Sequence, residues 1–304
     1  MRASLAKLIL RLSSLLPLPV AHALGGLTGR VLSVLPNRLR RIATINIRWC
    51  FPELDEYAQR QLVRRCLIET GKTTTEMGAL WFWNRQRLLS LVKQVSGEDA
   101  VKAALAQGKG AIIAAPHLGA WEMAGLYCAV HFGITSLYRP PRISGLDTLI
   151  RGARERLDAR LVPTDAGGVR SLYRALNNGE LIGILPDQIP GSGNGVFAPF
   201  FGNEAYTMVL ISRLVQKTHA AVFFSYAERL PQGAGYHLHF VPAPDGIADG
   251  DPIVAATALN RGVEQCVRTI PEQYQWTYKR FYMRPGGQLF HYEPHELPEH
   301  EPYR

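Results

Sequence analysis

From residue 95 onward, short apolar runs alternate with longer stretches of helical character, and this alternation limits what the chain can fold into. The runs are "GAIIAAP" (110–116), "ITSLYRP" (134–140), "ARLVP" (159–163), "LIGILPD" (181–187), "AAVFFSYAER" (220–229) and "GYHLHFVPAP" (235–244). Between them lie "WEMAGLYCAVHF", "GLDTLIRGARERL", "AGGVRSLYRALNNG" and "YTMVLISRLVQKTH". Strands separated by helices require crossover connections, which are right-handed and generate parallel pairing. The pattern predicts an α/β fold with a mostly parallel central sheet flanked by helices. The last two runs alternate polar and apolar residues and predict an antiparallel edge. "NRGVEQCVRTIPEQYQW" predicts a closing helix.

Open α/β sheets bind ligands beyond the carboxyl ends of their strands. Pro116-His117 follows the first run, Tyr138-Arg139-Pro140 the second and Pro186-Asp187-Gln188 the fourth. Three strands thus send a histidine, an arginine and an aspartate to one edge. His117 and Glu122 stand five residues apart, about 140° around an ideal helix. On a loop entering a helix the two can meet, with Gly119 permitting the turn and Glu122 in the first helical turn, where a carboxylate suits the dipole. A carboxylate on one imidazole nitrogen fixes the tautomer and leaves the other nitrogen free to accept a proton. His117 and Glu122 are therefore the expected catalytic pair.

The chain contains no G-x-S-x-G elbow, H-E-x-x-H, Walker sequence or G-x-G-x-x-G opening a helix, and "GSGNG" (191–195) follows an aspartate rather than the first strand. A base without a protein nucleophile implies that the substrate supplies one, as a hydroxyl. No metal or organic cofactor is expected. Cys50, Cys66, Cys128 and Cys266 are scattered without a C-x-x-C pair, which suits a reducing compartment.

The N-terminal stretch is apolar, and residues 12–29 carry no Lys, Arg, Asp or Glu. Pro17, Pro19 and the glycines weaken a spanning helix, so an interfacial or partly inserted anchor is expected. Arg38, Arg40, Arg41 and Arg48 follow and favour anionic lipid on the cytoplasmic side. The net charge of +9 fits that partner. Nucleic acid is not expected, because the aromatic residues do not interleave with the basic ones. Residues 51–83 predict a helix started by Asp55 or Glu56, and 81–92 predict its aromatic continuation, as core or as a wall against acyl chains. The expected organisation is a membrane-anchoring helical segment at 1–36, a catalytic domain at 37–285 and a poorly ordered tail at 286–304.

"HLGAWE" resembles the H-x4-D/E block of the lysophospholipid acyltransferase-like superfamily. More narrowly, the chain resembles the late (secondary) lipid A acyltransferases, the lauroyl/myristoyl transferases. The likeness spans nearly the whole chain, through "NIRWCFPELDEYAQRQLVRRCLIETGKTTTE", "LYRPPR", "GVRSLYRALNNGELIGILPDQIPGSGNGVFAPFFGNEAYT" and "PEQYQWTYKRFYMRP". It implies a glycerolipid acyltransferase-like fold at the cytoplasmic face of the bacterial inner membrane. It implies acyl carrier protein as donor and a hydroxyl of a Kdo-bearing lipid A precursor as acceptor. His117 would take the hydroxyl proton, with Glu122 orienting and charge-stabilising it. Arg139 and Arg154 are candidates for the oxyanion or the acceptor phosphates. Asp187 and Gln188 would shape the site or bind acceptor sugar, and "FFG" (200–202) and Thr207 would line a groove. Ala120 stands where many such chains have asparagine, which loosens the inference to lipid A. The alternatives are the same chemistry on another lipid (a glycolipid, ornithine lipid or lysophospholipid) and a non-enzymatic lipid-binding protein.

Overall fold

A computed structural model describes residues 2–141 and 144–293. Five helices come first: α1 (Arg2–Ser14), α2 (Leu18–Val34), α3 (Arg38–Cys50), α4 (Glu56–Phe82) and the short α5 (Arg85–Leu89). The α/β region follows as β1 (Val92–Ser96), α6 (Glu98–Ala106), β2 (Ala111–Ala114), α7 (Trp121–Phe132), β3 (Ile134–Tyr138), α8 (Asp147–Glu155) and β4 (Ala159–Pro163). It continues as α9 (Ala166–Asn177), β5 (Leu181–Ile184), β6 (Gly195–Phe200), β7 (Asn203–Met208), α10 (Leu210–Thr218), β8 (Ala221–Arg229), β9 (Tyr236–Pro242) and α11 (Pro252–Thr269).

Seven strands form one sheet in the order β1-β9-β8-β2-β5-β3-β4, and every pairing is parallel except β8 with β9. The mostly parallel α/β sheet expected from the alternation is present. β2 and β5 are buried at every position, as central parallel strands must be. Two departures have local causes. β1 pairs outside β9, so β9 is not the edge; its sequence, "VKQVS", is half-exposed and carries little strand signal. β6 and β7 form a separate antiparallel hairpin, in a stretch that the sequence pattern ran partly into a helix. The helix expected over 81–92 breaks at Trp83, and Asn84 caps the short α5 instead.

α4 begins as expected, with the Asp55 side chain accepting from the Ala58 amide. It also carries α2. A Cβ on Gly25 would stand 2.6 Å from the Gly71 carbonyl oxygen, and one on Gly29 would stand 2.3 Å from that of Leu67. Backbone thus meets backbone, and only glycine permits the approach. The opposite faces of α1 and α2 stay open: Leu8, Ile9, Leu12, Val20, Leu24, Leu27, Val31 and Val34 are all exposed, as is Leu15 in the link between the helices. On α2 the spacing of 4, 3, 4 and 3 residues from Val20 to Val34 makes one stripe. No single described helix is long and apolar enough to cross a membrane; α2 and α3 pass that test only as a pair bent by 79°.

Of the tail expected at 286–304, the described part is packed against the domain. Phe290 and Tyr292 are buried, and Tyr292 donates to Asn46 Oδ1 while accepting from the Phe281 amide. Residues 294–304 of that stretch lie outside the described residues.

Candidate active site

β2 and β5 are direct parallel neighbours, so the loops leaving their carboxyl ends run side by side. The first carries His117, the second Asp187 and Gln188. Asp187 grips His117 with both oxygens: Oδ1 accepts from Nδ1 at 2.8 Å and Oδ2 from the backbone amide at 2.9 Å. Burial alone would push the Asp187 carboxyl up; the His117 charge and these hydrogen bonds outweigh it and hold the group below its usual range. An ionised Asp187 fixes the proton on Nδ1. Nε2 then presents a lone pair and faces the Gln188 amide at 3.1 Å, which in turn lies 3.3 Å from Gln275 Oε1. The arrangement makes Nε2 the proton-accepting atom.

The carboxylate that touches His117 is therefore Asp187, not Glu122 as the H-x4-E spacing suggested. Glu122 does sit in the first turn of α7, and it is buried. Arg154 from α8 clamps it, Nε to Oε1 and Nη2 to Oε2 at 2.7 Å each, and Trp81 Nε1 donates to Oε1 at 3.0 Å. Burial would raise the Glu122 carboxyl, but Arg154 foremost holds it below its usual range, with a smaller contribution from the His117 charge. The two groups thus interact through space without sharing a hydrogen bond. Arg154, a candidate for the oxyanion or acceptor phosphates, is committed to Glu122 instead. Arg139 is exposed at the rim, where its charge reaches Tyr278.

The turn between β2 and α7 is held from behind. Gly119 has φ +59°, and a Cβ there would stand 2.1 Å from the Ala227 carbonyl oxygen of β8. Glycine is obligatory on both counts. The Ala227 carbonyl accepts from the Ala120 amide at 2.7 Å, and Arg229 Nη2 donates to the Gly119 carbonyl at 2.9 Å. Arg229 is fully buried and ion-paired with Glu76, which also meets His22 at 2.9 Å and the Tyr236 hydroxyl at 3.0 Å. One chain of buried polar groups therefore links α2 through α4 to the turn beside His117. No pattern in the sequence singles out Arg229 or Glu76. Ala120 occupies the N-cap of α7 without a side-chain cap, the place where asparagine would supply an acceptor.

Beneath this edge an apolar cavity runs between α7 and the sheet. Trp121, Glu122 and Arg154 form one end; Gly125, Leu126, Ile113, Ile134, Leu161 and Gly183 are among the residues that line it. Nothing lies within 4 Å of a Cβ placed on Gly125, so that position opens into free space. "FFG" and Thr207 are elsewhere: Phe200 and Phe201 are buried in the core around β6, and Thr207 bonds Arg280 and Asn260. None of them lines the cavity beneath α7. The four cysteines are free and buried.

The sequence model of the family described as bacterial lipid A biosynthesis acyltransferase matches residues 2–283. Among similar proteins is the lipid A biosynthesis lauroyltransferase of Escherichia coli K12, 29% identical over 90% of this chain and 88% of its own length. The palmitoleoyltransferase of the same organism is 28% identical, over 90% and 88%. Its myristoyltransferase is 23% identical, over 92% and 85%.

Proposed function

Because this chain belongs to the bacterial lipid A biosynthesis acyltransferase family, we propose that it moves a fatty acyl chain from acyl carrier protein to a hydroxyl of a Kdo-bearing lipid A precursor. The single observation that carries the site assignment is the orientation of His117: Nδ1 is tied to buried Asp187, Nε2 is left as a base, and the ring lies 5.1 Å from that of Trp121, which lines the apolar cavity. The acceptor hydroxyl takes the place of the Gln188 amide at Nε2. As its oxygen attacks the thioester carbonyl, its proton passes to Nε2. Asp187 stabilises the imidazolium by direct contact and Glu122 across space. The displaced Gln188 amide and the exposed Arg139 are the donors available to the developing oxyanion, a role worth about 3–4 kcal/mol per donor. Collapse forms the ester and expels the carrier thiolate, which recovers the proton from His117.

The cavity beneath α7 receives the donor chain, and Gly125 sets its bore. The similar proteins carry lauroyl, palmitoleoyl and myristoyl names, so the preferred length follows from this cavity rather than from kinship. Residues 1–36 act as the anchor of a catalytic domain at 37–285. The exposed stripe of α1 and α2 lies in the cytoplasmic face of the inner membrane, next to a basic cluster that meets anionic lipid.

The test is direct. Membrane-bound protein is incubated with acyl carrier protein charged with C10 to C16 chains and a Kdo-lipid A precursor, and the acceptor is followed by mass spectrometry. One added acyl mass, absent with His117→Ala, is expected. Thioester loss onto another lipid only would move the assignment to that acceptor.

A further inference from the structure

The second cluster of reactive side chains lies behind the site, on the outer part of the sheet. His237 and His239 are two residues apart on β9, so both imidazoles leave the same face. The antiparallel register sets Glu228 of β8 opposite His237, and Tyr226 opposite His239. Glu228 Oε2 is 3.0 Å from His239 Nε2 and 3.9 Å from His237 Nδ1. All three possible ligand atoms lie within 4.8 Å of one another. A tetrahedral ion bound at about 2.0–2.2 Å holds its ligand atoms about 3.3–3.6 Å apart. Small side-chain rotations reach that geometry from the positions observed.

The surroundings hold the rings in place. Ser96 Oγ on β1 is 2.8 Å from His237 Nε2; accepting that N–H turns the Nδ1 lone pair toward Glu228. Such a partner on the far nitrogen is the usual support of a metal-binding histidine. Tyr226 stacks on His239 with ring centroids 4.6 Å apart, and the two imidazoles are 3.9 Å apart. The side chains of His237, His239 and Glu228 are 15%, 20% and 30% exposed, which leaves water room to complete the shell. None of the three touches His117 or the apolar cavity.

We propose that Glu228, His237 and His239 form a binding site for a divalent transition cation of the zinc type, with two imidazoles, one carboxylate and water as ligands. Glu228 lies between Ala227 and Arg229, the two residues that hold the turn beside His117. An ion here ties β8 to β9 at that point and stiffens the support of the turn without entering the reaction.

Full-length protein in detergent, stripped with EDTA, is titrated with Zn(II) against a chromophoric chelator of micromolar affinity. One equivalent is expected to bind. His237→Ala and His239→Ala should each weaken it by at least about 10-fold, and Ser96→Ala by about 10-fold, the low end for lost outer support. Glu228→Gln provides a second ligand variant of nearly unchanged shape. Zinc should raise the Tm of the wild type and leave that of the His237→Ala/His239→Ala protein unchanged. Replacing His291, His295 and His300 with alanine should not alter affinity. Absence of binding at micromolar zinc overturns the proposal. So does equal affinity in the double variant, or binding that disappears with the C-terminal histidines.

Discussion

The turn beside His117 and the α2–α4 contact are both built on glycines pressed against backbone, yet they finish in opposite ways. At the turn, the buried charges are paired: Asp187 with His117, Glu122 with Arg154, and Arg229 with Glu76 and the Gly119 carbonyl. At α2 the glycines bury one face, and the other is left as a stripe of leucines and valines in the open. The first region fixes a proton acceptor, because buried charges keep their geometry only when each is paired. The second leaves an apolar stripe open, and that much exposed hydrocarbon on one face marks an interaction surface. The His22–Glu76–Arg229 chain joins them, so α2 is also a structural support of the turn. Deleting residues 1–36 would therefore disturb both regions, and point changes separate them better.

The largest effects should fall on turnover alone. His117→Ala should lower it by about 10²-fold or more, the usual scale of general-base catalysis, and membrane pelleting should stay as in the wild type. A pelleting assay run beside the rate measurement checks both halves. The converse experiment is Leu24→Ser/Leu27→Ser/Val31→Ser. Each apolar side chain left in water rather than lipid costs about 1.5–3 kcal/mol, so the triple variant should shift to the supernatant by at least about 100-fold. Its rate on detergent-dispersed acceptor should remain within a few-fold of the wild type.

Smaller effects sharpen the role of the cavity and of the second carboxylate. Gly125→Leu fills space that is open in the wild type. It should move the preferred donor to a shorter chain, by a factor of about 10–200 in relative kcat/KM, the range for a misfit of methylene size. A competition assay with mixed acyl carriers reads this directly. Glu122→Gln tests the clamp through pH. The Glu122 carboxyl is held below its ordinary value of 4.5, so its pairing stabilises the fold fully above that pH and loses that contribution as pH falls through the lower folded value. The Tm gap between wild type and Glu122→Gln should be open at pH 7 and close in acid, as followed by circular dichroism.

Most of the sheet was legible because burial on both faces leaves a plain mark: "AIIA" and "LIGI" have no other sensible placement. β1 and the β6–β7 hairpin were not, since "VKQVS" is half-exposed and "GVFAPF" is broken by a proline. His117 was legible from its place after a strand. Its partner was not, because Asp187 is seventy positions away and is brought close only by β2–β5 adjacency. Glu122 was visible in the same short motif and drew the pairing to itself; Arg154, delivered by α8, holds it elsewhere. Sequence spacing reports neighbours along a helix, whereas the order of parallel strands decides which loops meet.

In the proposed mechanism Nε2 of His117 is the base, and Asp187 makes it so. The most direct measurement is the single-turnover rate of acyl transfer for wild type, His117→Ala, Asp187→Asn and the double variant. Asp187→Asn is expected to lose about 10²-fold or more, and the double variant to be no slower than His117→Ala, because groups acting as one unit are not additive. An Asp187→Asn enzyme as fast as wild type, or losses that multiply in the double variant, would contradict this mechanism.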